Sequence, residues 1–177
     1  SSEIQAISLL KELKNIDEYL FNHSVNVGIL TGSFARLMDF SPEETRDLVL
    51  GAFFLDIGHM MLDRQLASHS GRYSVTEKQK MKRHPQLGYE ILKGIPGVSP
   101  AVLQSVLFHH ERYNSEGYYQ MPYENLPLPP KIVGACDMYD ALTSVRPYRA
   151  AFSPASALKI LLNSINIHFD YRLVHSF

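Results

Sequence analysis

The stretch Phe108-His109-His110-Glu111-Arg112-Tyr113-Asn114-Ser115-Glu116-Gly117-Tyr118-Tyr119 closes an apolar helical run with two adjacent imidazoles, then an acidic, aromatic, glycine-bearing loop. That mixture suits the edge of a site better than a core. His84-Pro85 lies upstream and Cys136-Asp137-Met138-Tyr139-Asp140 downstream. Imidazoles and carboxylates from separate segments are the usual donors to a divalent cation. A plainer explanation exists: histidines at a helix end complement its dipole and cap terminal carbonyls. Asp56 directly follows the apolar run Leu48-Val49-Leu50-Gly51-Ala52-Phe53-Phe54-Leu55. A carboxylate buried there must be hydrogen-bonded, paired or bound to a cation. His23, within a largely apolar helix, reads by itself as a satisfied core histidine. Arg146 and Arg149 flank Pro147-Tyr148 and suit a phosphate, although surface ion pairing is the commoner use of such a pair.

Helical periodicity supplies the frame that must position these groups. Ile4, Ile7, Leu10 and Leu13 recur every three residues, with a break at Asn15-Ile16-Asp17. Tyr19, His23, Val27 and Leu30 then share a face, and Val25, Ile29 and Phe34 extend its expected burial. Asn22 and Asn26 lie on an adjacent stripe. Ser41-Pro42-Glu43-Glu44 signals a helix start, and Thr76 with Gln79 reads as the next capping box. Gly58-His59 ends or bends the central helix, and residues 64–73 read as a loop with His69 exposed. Helices are expected to follow His84-Pro85 and Ser99-Pro100, from Lys131, and from Ser153-Pro154 to Ile165. Tyr113 to Pro130 forms the longest irregular segment, a loop with structured turns. Asp137 and Asp140, three apart, allow one carboxylate to face a site while the other holds a partner. No strand pattern is convincing, so the class is all-α.

A 177-residue chain, 45% hydrophobic, has material for one substantial core. With 17 basic and 18 acidic residues it carries no excess positive charge for a DNA or RNA duplex. No apolar run reaches membrane-spanning length. One cysteine, Cys136, excludes an intrachain disulfide framework and fits a reducing, cytoplasmic setting. The opening Ser1-Ser2-Glu3 lacks methionine, as in an excised domain, so tethered sensory domains or a protein partner remain open.

Taken in order, the segments His23-Ser24-Val25-Asn26-Val27, Leu55-Asp56-Ile57-Gly58-His59, His84-Pro85, His109-His110-Glu111-Arg112, Gly117-Tyr118-Tyr119, Asp137-Met138-Tyr139-Asp140-Ala141-Leu142-Thr143-Ser144, Arg146-Pro147-Tyr148-Arg149 and His168-Phe169-Asp170 resemble the HD-GYP family. This is a branch of the HD metal-hydrolase superfamily associated with degradation of bacterial cyclic di-GMP. The resemblance implies a single-domain helical bundle over residues 1–177, about seven helices, with 1–16 a linker or capping helix. It places His23, Asp56 and Asp137 near one metal, and implies that Asp56 bridges to a second held by His84, His109 and His110. Only a carboxylate has two oxygens to share between two cations; a neutral imidazole offers one free nitrogen. Active members use such metals to generate hydroxide for attack on a phosphodiester. Glu111 is a candidate partner for a ligand histidine's second nitrogen. Tyr118, Arg146 and Arg149 are candidates for substrate contact, with cyclic di-GMP as the implied ligand.

The departures bear on activity. The family's histidine-aspartate pair is Leu55-Asp56 here, and leucine has no lone pair. The lysine expected after the glycine is His59, an expected catalytic-site residue with Asp56, which could reach in from the bend to restore part of the first centre. Aspartate-glycine is replaced by Asn114-Ser115, and glycine-tyrosine-proline by Gly117-Tyr118-Tyr119. Tyr19 stands where three-metal members carry glutamate. One or two divalent cations (iron, manganese, nickel or zinc) or an empty site are compatible with this set. The expected function is a degenerate signalling domain with weak or absent cyclic di-GMP hydrolysis, the alternative an active phosphodiesterase with an atypical centre.

Overall fold

The computed structural model describes residues 2–62, 73–145 and 150–176. His69, most of the 64–73 loop, Arg146 and Arg149 lie outside them. Among the described residues the protein is all-α: α1 (Ser2–Ile16), α2 (Glu18–Leu37), α3 (Pro42–Phe54), α4 (Val75–Met81), α5 (His84–Leu92), α6 (Pro100–Phe108), α7 (Leu128–Thr143), α8 (Pro154–Asn163) and α9 (Tyr171–His175). Short 3-10 turns cover Ile57–Met61 and Tyr123–Asn125, and an isolated bridge joins Ile165 to Phe169.

Most boundaries are written in local hydrogen bonds. Asp17 caps α2, and Ser41 with Glu44 forms a reciprocal capping box on α3. Ser99 and Ser153 cap α6 and α8, each followed by proline in the first turn. The box on α4 is Ser74 with Glu77, not Thr76 with Gln79, because Ser74 holds the extended backbone a cap requires. Helix α7 starts at Leu128, ahead of Lys131: its prolines fall in the first turn, where the missing N–H costs nothing. Ile29 is exposed instead of extending the buried face of α2.

Helix α3 is central and packs against α2, α6 and α7. Its C-terminal end separates two apolar clusters. Leu55 enters the one containing Val27, Ala52, Ala135 and Cys136, whereas Phe54 and Ile57 enter the other, with Leu13, Leu92 and Val106. Leu55 is 1% exposed, burial that contributes about 1.5–3 kcal/mol. Asp56 therefore emerges at the seam between the two clusters.

Close backbone approaches fix the segments around that seam. A Cβ on Gly58 would lie 1.9 Å from the His84 carbonyl oxygen and 2.5 Å from the Gly88 nitrogen. One on Gly134 of α7 would lie 2.6 Å from the His109 carbonyl oxygen. Gly58 thus marks a helix-to-turn contact that sets the position of His84. Gly58→Ala is expected to cost about 1–3 kcal/mol, as overpacking does, and to lower the melting temperature. Gly94→Ala, where an added Cβ meets open space, is the control. Equal melting of the two variants would contradict this packing role.

Candidate metal centre

Four elements converge on Asp56: α2 brings His23, the 3-10 turn after α3 brings His59, the start of α5 brings His84, and the end of α6 brings His109 and His110. Asp56, His23, His59, His84 and His109 are all buried, and His110 is half-buried. The Asp56 carboxylate faces two ways. Its Oδ2 lies 3.8 Å from His23 Nε2, and its Oδ1 lies 3.3 Å from both His59 Nε2 and His84 Nε2. Burial alone would raise its pKa. The His59 hydrogen bond, followed by the charges of His59, His84 and His23, outweighs burial and holds the group well below the usual carboxylate range.

On the Oδ2 side, His23 lies between two carboxylates. Its Nδ1 is 2.6 Å from Asp140 Oδ2, and its Nε2 is 2.9 Å from Asp137 Oδ1. Carboxylates only accept, so both ring nitrogens donate and the ring is an imidazolium. Burial lowers the pKa of this ring, but the hydrogen bonds to Asp137 and Asp140, then the charges of Asp137 and Asp56, raise it to about 11. Asp137 thus faces the site while Asp140 orients His23. Tyr19 stacks parallel to the His23 ring at 6.3 Å. Cys136 is a buried thiol, pushed up to about 12 by burial.

The Oδ1 side has the opposite character. His84 Nδ1 lies 2.8 Å from the Met81 carbonyl oxygen and His109 Nδ1 lies 2.9 Å from that of Val106. Carbonyls only accept, so each Nδ1 keeps its proton. In neutral rings both Nε2 atoms then present lone pairs, which face each other at 3.3 Å. Burial, offset in part by Asp56 and reinforced by His59 and His109, lowers His84 to about 3. Burial, then the charges of His109 and His84, holds His110 well below the ordinary imidazole value. Neutral imidazoles with converging lone pairs are the state a cation requires. Both His84/His109/His110 and Asp56/His59/His84 offer ligand atoms within 4.8 Å of one another. The cluster can coordinate one or two divalent cations.

Two expectations are corrected by the geometry. Glu111 does not serve a histidine: its oxygens accept the backbone N–H groups of Tyr119 and Met121, both at 2.8 Å, closing the loop that carries Tyr118. His59 stands on the Oδ1 side of Asp56, with His84, not beside the His23 and Asp137 pair. Tyr118 does reach the cluster, its ring 4.4 Å from that of His110. Burial, then Asp56 and Asp137, raises its pKa. Lys82 also reaches this loop, its Nζ 5.0 Å from the Tyr118 ring centroid; its only signal in the sequence is a position two residues before His84.

The sequence model of the HD domain matches residues 6–173. The chain belongs to the HD-domain family. Within it the chain is HD-GYP-like. It is 33% identical over 173 residues to a cyclic di-GMP phosphodiesterase of Pseudomonas aeruginosa, covering 97% of this chain and 42% of that protein. It is 35% identical over 147 residues to a cyclic di-GMP phosphodiesterase response regulator of Xanthomonas campestris, covering 82% and 39%. This HD-domain chain thus spans about two fifths of the length of those relatives. The solved structure of a cyclic GMP-AMP-specific phosphodiesterase from Vibrio cholerae superposes with a TM-score of 0.72 at 18% identity, over 99% of this chain and 47% of that one, and shows a common fold.

The His23 imidazolium makes a pH prediction for protein stripped of metal. A pKa raised from 6.5 to about 11 contributes stability that is full below pH 6.5 and is lost as the pH climbs through the folded value. Asp140→Asn removes one of the two charged partners. Denaturant titrations from pH 6 to 10.5 should show a wild-type advantage that is widest at the acid end and narrows on the alkaline side. A gap independent of pH would contradict the imidazolium assignment.

Proposed function

We propose that this chain is a degenerate HD-GYP signalling domain in which cyclic di-GMP hydrolysis is weak or absent and output passes through contact with a protein partner or tethered domain. The observation that carries the reading is Leu55. Its side chain is packed in the apolar cluster beside Asp56, at the position where the family has a histidine. Bound cations would supply positive charge to a phosphodiester and lower the pKa of bound water. The chain's own residues meet that need unequally. Asp56, His84, His109 and His110 form a complete set by residue type. His23 and Asp137, with Asp56 as their third donor, gain none from position 55, and without metal His23 Nε2 hydrogen-bonds to Asp137.

Tyr118, held beside His110 by the Glu111 clasp, would form one wall for the ligand, with Arg146 and Arg149 contributing phosphate contacts. Guanidiniums keep their donors at any ordinary pH, so docking outlasts catalysis under this reading, although binding is weak. The second reading, an active phosphodiesterase with an atypical centre, draws support from the complete four-residue set and from the named activities of the Pseudomonas aeruginosa and Xanthomonas campestris relatives.

The test is product formation from cyclic di-GMP under manganese or ferrous iron, at equal measured metal loading. Wild type, Leu55→His and an Asp56→Ala control would be compared. Wild type is expected to match the control, and Leu55→His to gain metal occupancy before it gains turnover. Robust wild-type turnover abolished by Asp56→Ala would refute the degenerate reading.

A further inference from the structure

His59 has no assigned partner role in the two sets carried by the resemblance, yet its environment is that of a ligand. The ring is 7% exposed and stacks on His84, with centroids 4.4 Å apart and planes inclined by 22°. Its Nε2 is 3.3 Å from Asp56 Oδ1, and that oxygen is 3.3 Å from His84 Nε2. Its Nδ1 is buried and, among the described residues, has no hydrogen-bond partner. His84 and His109 are anchored by carbonyls through Nδ1. Among the described residues no such contact accounts for His59, a buried polar ring whose Nδ1 finds no partner there.

The separations suit a cation. Donors about 2.0–2.2 Å from a tetrahedral metal lie about 3.3–3.6 Å from one another. Both of the Asp56 contacts fall at 3.3 Å. A lysine at position 59 would bring an ammonium, which has three donors and no lone pair. Histidine exchanges that cation for a donor.

We propose that His59 is a metal ligand, joining Asp56 and His84 around a divalent transition metal on the Oδ1 side of the carboxylate. Two imidazoles and one carboxylate favour zinc, iron or nickel over magnesium or calcium. The inference rests on the reading of the cluster as a metal centre and is independent of whether turnover survives. It also relocates the compensation for Leu55: the donor missing on the His23 side is not restored there, and the His84 side becomes richer.

The test uses chelator-stripped protein titrated with Co(II), followed by visible absorption and by the hyperfine-shifted ring N–H signals of bound histidines. His59→Phe keeps an aromatic ring for the stack on His84 without a lone pair; His59→Lys installs the family residue. Both should bind Co(II) at least about tenfold more weakly than wild type, the lower end of what even outer partners of a metal contribute, and both should lose one histidine signal. In the unmutated protein, 15N-histidine spectra with and without Zn(II) should show the His59 ring nitrogen shifting on binding, a readout independent of how the variants fold. Variants that bind as tightly as wild type, or an unmoved His59 nitrogen while Zn(II) is bound, would overturn this inference and leave the metal centre standing. A wild-type protein that takes up neither metal would overturn both.

Discussion

A carboxylate at the seam of two apolar clusters must be neutralised, and the arrangement around Asp56 follows from that constraint. An uncompensated buried charge costs several kcal/mol, so α2, α5, α6 and the 3-10 turn each deliver an imidazole toward it. The imidazoles do not respond alike. His23, between Asp137 and Asp140, is charged at neutral pH. His84 and His110 are held neutral chiefly by burial, with His109 acting on both. Without metal, one face of Asp56 is balanced by a proton, and the other presents lone pairs that only a cation or a further proton can reconcile.

Helix starts were legible because a cap is a local device: Ser41, Ser99 and Ser153 each accept from a backbone N–H three residues on. Ser74-Glu77 and Thr76-Gln79 carry the same pattern two residues apart, and backbone conformation decides between them. The converging histidines and Asp56 were legible through residue type and order. The His23–Asp140 bond depends on how α2 crosses α7, and no spacing along the chain encodes that. The Glu111 clasp depends on where a ten-residue loop returns. The side of Asp56 on which His59 lies depends on the turn that Gly58 makes against α5.

The departures from the family pattern have one physical theme. Leu55 keeps the packing at the end of α3 and removes a donor. His59 removes a long cation and adds a donor a few ångströms away. Tyr19 stacks over His23 and supplies no carboxylate. Under the proposed role of His59, the scaffold is retained while donor capacity moves from the His23 side of Asp56 to the His84 side. A bundle built this way places Tyr118 and its loop against the cluster, through the Glu111 clasp and the contact of Tyr113 N–H with the His168 carbonyl oxygen.

The central claim is that Leu55 leaves the His23 side of Asp56 short of a metal donor while the His84 side keeps a full set. Metal content of protein purified without chelator, measured by mass spectrometry against protein concentration, tests it most directly. The account predicts close to one transition metal ion per chain, with a second site that stays unfilled when more metal is supplied. Two ions per chain would contradict it, because His23 and Asp137 would then be ligands without help from position 55; a protein that takes up no metal would contradict it from the other side.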